Sequence, residues 1–137
     1  MNDEKILKTA AVYDLVVTGF LVLPPVALIV LKVIAYVDAS LGFGTEFTVP
    51  DATTIFFVNL AAATVIAWAA IRIMRPSREA LLIDIGYRVV LVICQVWAVL
   101  AGATPVLLGI SAALLLIAGA EWVAWKKSDP TGLGKAA

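Results

Sequence analysis

The sequence predicts an all-α integral membrane protein: a four-helix bundle running up-down-up-down, with both termini cytoplasmic. Three observations lead there. Of 137 residues, 63% are hydrophobic and only 15% charged, with mean hydropathy +1.04, where soluble domains hold about 45–50% apolar and 25% charged residues. Stretches without a charge recur at 15–31, 55–71 and 89–120, long enough for helices to cross a hydrocarbon layer about 30 Å thick. The basic residues are one-sided. Of the 10 Lys and Arg, all but Lys32 lie near the N-terminus, in or beside the segment joining the second and third helices, or in the C-terminal tail. Positive charge marks the cytoplasmic face, which sets the orientation. Residues 1–137 are expected to form one domain.

The first helix is expected over about 10–37, behind a polar lead at residues 1–9 that carries Lys5 and Lys8. On a straight helix Asp14 and Lys32 stand about 27 Å apart, so each reaches an interface, Lys32 by snorkelling. A cleavable signal peptide is disfavoured, because the apolar run is too long for one and holds Pro24-Pro25. The following loop contains Gly42, Gly44 and Pro50 with Asp38, Glu46 and Asp51, and no basic residue. Asp51 or Thr53 suits the N-cap of a second helix over about 53–74. Arg72, Arg75 and Pro76 end it, and a third helix is expected over about 79–101. The uncharged run 89–120 is too long for one helix, and Gly102-Ala103-Thr104-Pro105 divides it. Pro105 suits the first turn of a fourth helix over about 105–125. Tyr13, Tyr87, Trp122 and Trp125 mark an inner aromatic belt, and Tyr36, Phe43, Phe47 and Phe56 an outer one.

Several chemistries lack their residues. There is no histidine, which removes bis-His haem ligation, His-containing zinc sites and imidazole acid–base catalysis. The lone Cys94 forms no intrachain disulfide or C-x-x-C motif, and its apolar segment predicts an inert thiol. Net charge is zero, so nothing points to nucleic acid. No cofactor, metal site or catalytic residue is assigned. The only candidate carboxylates are Asp14, Asp84 and Glu121, and two of them have arginine partners by register. Paired carboxylates stay ionised and serve poorly as general acids.

Residues 83–101 carry the informative pattern. Asp84, Arg88 and Gln95 fall within roughly 40° of one another on a helix turning about 100° per residue. Such a stripe on an apolar helix must face protein, water or another polar group. Counting heights from the turns brings Asp14, Arg72, Asp84, Arg88 and Glu121 into an inner polar ring, with Asp84 and Arg88 in the favourable i,i+4 order. A proton or ion relay and a plain charge lattice both fit that ring. Asn59, Gln95 and Ser111 fall at a shared height in the outer half, near Pro24 and Pro25, whose missing N–H groups free carbonyls in the first helix. This layer is either a ligand site or interhelical glue, worth about 0.6–2 kcal/mol per contact. The alanines of helix two, and Gly109 with Ala113, allow close backbone approach. Trp68 and Trp97 are expected to fill the bundle, with the lining of a pocket for an apolar ligand as the alternative.

The leading expectation is an accessory, structural or assembly component of the inner (cytoplasmic) membrane, acting through helix–helix contacts. Its partners would be the lipid bilayer and other membrane proteins or another copy of itself. The alternative is a binder or carrier of a lipophilic molecule in an intramembrane pocket. In its four-helix size and its early acidic Asp14 the chain also resembles small multidrug-resistance transporters, which implies a proton-coupled exporter. Those transporters use a membrane-embedded glutamate and often insert both ways, whereas the Lys/Arg bias here is one-sided.

Overall fold

The computed structural model describes residues 3–127, which form α-helices joined by short turns and one longer loop, with no strand among the described residues. Helix α1 spans Asp3–Gly19, and a single 3-10 turn, Phe20–Val22, follows it. Then come α2 (Pro24–Ser40), α3 (Ala52–Met74), α4 (Arg78–Leu100) and α5 (Val106–Lys127). Helices α3, α4 and α5 are each long and apolar enough to cross a membrane. The end of the C-terminal tail lies outside the described residues.

The first hydrophobic segment differs from the single helix expected over 10–37. It is two helices whose axes turn by 108°. Leu23 leaves the helical region (φ −94°, ψ 121°), as the residue before a proline tends to do, because the proline ring crowds it. Pro24 and Pro25 then occupy the first positions of α2, where a missing N–H costs nothing. The Leu23 carbonyl accepts from the amides of Val26 (3.0 Å) and Ala27 (2.9 Å), which starts the new helix. Asp14 and Lys32 are therefore not the two ends of one rod. The polar lead is also helical from Asp3 onward, with Lys8 paired to Glu4 one turn earlier at 2.5 Å.

Local chemistry sets the remaining ends. Asp51 caps α3, its carboxylate accepting from the Thr54 amide at 2.7 Å. Ser77 caps α4 through the Ala80 amide at 3.1 Å. Gly102, at φ 101°, supplies the left-handed residue that closes α4. Beyond it the Thr104 hydroxyl accepts from the Val106 amide at 3.2 Å, ahead of Pro105 and α5.

The helices pack as two pairs. Helix α1 lies along α3, and α4 along α5; a narrower α1–α5 contact joins them, while the backbones of α3 and α4 scarcely approach. Leu7 of α1, Ala80 and Leu81 of α4 and Ala124 of α5 form one cluster, so the start of α1 and the finish of α5 share one end of the molecule. The interior is mostly alanine, with Ala10, Ala11, Ala62, Ala69 and Ala118 all buried. Its largest fully buried side chains include Arg72, Arg88, Glu121, Asp38 and Asp84, whereas Phe57, Ile93, Trp97, Leu100 and Leu116 face outward. Charge inside and large apolar groups outside suit a lipid solvent, where hydrocarbon contact is free and an unpaired charge is not.

Helix α2 presents Ala27 and Asp38 to the protein and Ile29, Val33 and Tyr36 to the outside. Its far end is tied down by Asp38. That carboxylate accepts from the Thr45 amide (2.9 Å), the Thr45 hydroxyl (2.7 Å) and the Thr104 hydroxyl (2.5 Å), which joins α2, the following loop and the α4–α5 turn.

Candidate functional site

Five charged side chains from four helices meet in one buried network. Arg72, on α3, sits four residues after Trp68 and so on the same helical face. Its guanidinium donates to Asp14 of α1 at 2.5 Å and to Asp84 of α4 at 2.6 Å. Arg88, one turn after Asp84, reaches all three acids: Asp14 at 2.8 and 3.2 Å, Asp84 at 3.0 and 3.1 Å, and Glu121 of α5 at 3.3 Å. Arg72, Asp84 and Glu121 have no exposed surface, Arg88 has 1% and Asp14 7%. The positions that register brings into an inner ring are thus in mutual contact.

The network also crosses the seam between the helix pairs. Asp14 with Arg72 belongs to the α1–α3 pair, and Asp84, Arg88 and Glu121 to α4–α5. Arg72–Asp84 and Arg88–Asp14 are the ion pairs that bridge them. Charged, forked donors do here what backbone packing does not, since α3 and α4 stay apart. Trp68 adds a further bridge that sequence reasoning missed as such: its indole N–H donates to Asp84 at 2.7 Å, and its ring lies 5.8 Å from the Arg72 guanidinium carbon. The i,i+4 spacing of Trp68 and Arg72 was the available signal.

The outer polar residues are not bonded into one network. Asn59 donates to the Leu21 carbonyl at 2.6 Å, filling an acceptor that the Pro24-Pro25 break leaves without a helical partner. Ser111 donates to Gln95 at 2.6 Å across α4–α5 and to its own helix at Leu107. These are two separate ties. The Asp38–Thr45–Thr104 knot had no signal in the sequence, because residues 38 and 104 are brought together only by the fold.

One aromatic expectation changes: Trp97 is 70% exposed and fills nothing inside. Cys94 is exposed on the outside of the same helix. Both sit on a helix face that has no helix against it. Three surface hollows are evident. One, of about 320 Å³, is an apolar groove between α1 and α5 lined by Ile6, Tyr13, Leu116 and Ile117 among others. Two more, of about 380 and 150 Å³, flank Leu31 and the chain from Phe47 to Pro50. None of these three touches Asn59, Gln95 or Pro25. No group of acidic or thiol side chains among the described residues is arranged to hold a metal ion.

No family model matches the chain, and neither a curated protein nor a solved structure does.

Proposed function

We propose that the protein is a four-helix bundle of the cell's inner membrane, with both ends on the cytoplasmic side, the bent α1–α2 segment supplying the first crossing. It serves there as an accessory or assembly component that works through lateral helix–helix contacts. The observation that carries this reading is the closed ion cluster. The charged side chains of the cluster are bonded to one another across the helix seam, and none of them lines any of the three hollows described above. What faces sideways is apolar surface, most fully on α4, where Ile93, Trp97 and Leu100 are 63, 70 and 83% exposed. A protein built this way offers its surroundings shape and grease rather than reactive groups.

A photo-crosslinking amino acid placed at Ile93 or Trp97, activated in intact membranes, tests the reading. A discrete protein adduct from those positions, absent from the Tyr36 position on α2, is the expected result. Lipid adducts alone at every position overturn it. The second reading, a carrier of a lipophilic molecule, is favoured by the apolar α1–α5 groove. Under it, gentle native mass spectrometry finds a bound small molecule that a bulky Ala120→Phe substitution displaces.

A further inference from the structure

The buried cluster does not balance in charge. Asp14, Asp84 and Glu121 bring three carboxylates, and Arg72 and Arg88 bring two guanidiniums that keep their charge at any physiological pH. Among the described residues no other cation is paired with these three acids. Around the cluster that Glu121 joins from α5, helix α4 presents Asp84, Arg88 and the Tyr87 phenol, α1 presents Asp14, and α3 presents Arg72 with Trp68. The titratable residues of helix α2 are Asp38, Lys32 and Tyr36; the first is bonded to Thr45 and Thr104 and the other two are exposed. With every carboxyl ionised, a site shut off from water would hold one uncompensated negative charge, which is expensive.

The three acids are not equivalent. Asp84 accepts the Trp68 indole on one oxygen and three guanidinium N–H groups on the other. Asp14 accepts on both oxygens, from both arginines. Glu121 accepts a single long bond from Arg88 Nε at 3.3 Å on Oε2, while its Oε1 is buried without a partner among the described residues. The same carboxyl shares the Arg88 Nε–H with Asp84, at 3.3 Å from Glu121 and 3.1 Å from Asp84, which sets the two carboxyls side by side. Two carboxyls turned toward each other hold a proton between them, because like charges at that range cannot both persist.

We infer that the cluster is a one-proton site: Glu121 carries a dissociable proton on its otherwise unpartnered oxygen and turns that O–H toward Asp84. So loaded, the five side chains sum to zero, and every carboxyl oxygen has a role. Release is the simple dissociation of Glu121 to its carboxylate, the proton passing to solvent; the cluster then stands at −1, with α5 repelled from Asp84 on α4. In the unfolded chain Glu121 ionises in the ordinary carboxylate range. The folded chain therefore binds one more proton than the unfolded chain above that range, and its stability falls as pH rises.

Infrared spectroscopy of the full-length protein in lipid, with and without carbon-13 glutamate, tests this. At neutral pH the wild type should show the C=O stretch of a protonated carboxylic acid that shifts on glutamate labelling. Glu4, Glu46 and Glu79 are exposed and do not supply it. Glu121→Gln should lose the band, melt above the wild type at neutral pH and remove the decline in stability that the wild type shows as pH rises from the carboxylate range, since an amide N–H replaces the O–H and cannot ionise in either state. Absence of a glutamate band in the wild type overturns the inference, as does a band that survives Glu121→Gln or a variant that melts no higher than the wild type at neutral pH. Should the variant not fold, the labelled wild-type spectrum decides by itself.

Discussion

Arg88 touches every acid in the cluster, and Arg72 two of the three. Removing either arginine strands buried carboxylates, and breaking a buried pair costs about 3–5 kcal/mol, because the remaining charge is left without compensation. The expected order of stability in reversible unfolding from mixed micelles is wild type, then Arg88→Lys, then Arg88→Leu. Lysine keeps the charge but lacks the planar fork that serves Asp14 and Asp84 together, so it recovers only part of the loss. Equal stability of Arg88→Leu and wild type would mean that the cluster contributes nothing to the fold. Residue identity and register made most of this legible beforehand. Asp84 and Arg88 are one turn apart on an apolar helix, and turn-counting aligns Arg88 with Glu121. Which oxygen stays unpartnered could not be read that way, because it depends on side-chain rotamers set by four helices at once.

At the scale of the element, α2 is where sequence and structure part. Its hydropathy reads as the second half of one membrane helix, yet the chain turns 108° at Leu23. Prolines alone tolerate a modest kink. A turn this large also uses two tertiary anchors, Asn59 on the Leu21 carbonyl before the break and the Asp38–Thr104 tie after it. Spin labels at Val12 and Val33, both exposed, would stand about 31 Å apart on a straight helix. The Pro24→Ala/Pro25→Ala variant should keep the short separation of the bent form. Adding Asp38→Ala should populate the long one. A long separation already in the proline variant would show that the prolines hold the bend unaided. Asp51 is a simpler case, a cap legible from Pro50-Asp51 ahead of an apolar run. The Thr54 amide, then its hydroxyl, holds the Asp51 carboxyl below its usual range. Its help to α3 is present above the ordinary aspartate range and is lost as pH falls through the lowered value.

For the whole molecule, the two helix pairs meet through α1–α5 packing and through the ion cluster. The buried interior is small residues and paired charge, and the outer surface is large and apolar. The orientation proposed above rests on the basic residues gathered at the end where Leu7, Leu81 and Ala124 pack. In a Cys94→Ala background, an impermeant maleimide added to spheroplasts should label Glu46→Cys and spare Arg75→Cys. Labelling in the opposite sense would invert the orientation proposed above. Composition, uncharged run lengths and turn residues determined by themselves that the chain is helical and rich in membrane-length apolar segments; they gave four crossings, where the structure has three helices long and apolar enough and a bent pair in place of the first. They also brought the charged positions of the cluster to one height, since these follow from local periodicity and transfer energy. Only the tertiary structure decided the bend at Leu23, the pairing of α1 with α3 and α4 with α5, the Asp38 knot and the odd carboxyl at Glu121. Each of those rests on contacts between residues distant in the chain, and a one-dimensional pattern carries no record of which distant partners meet.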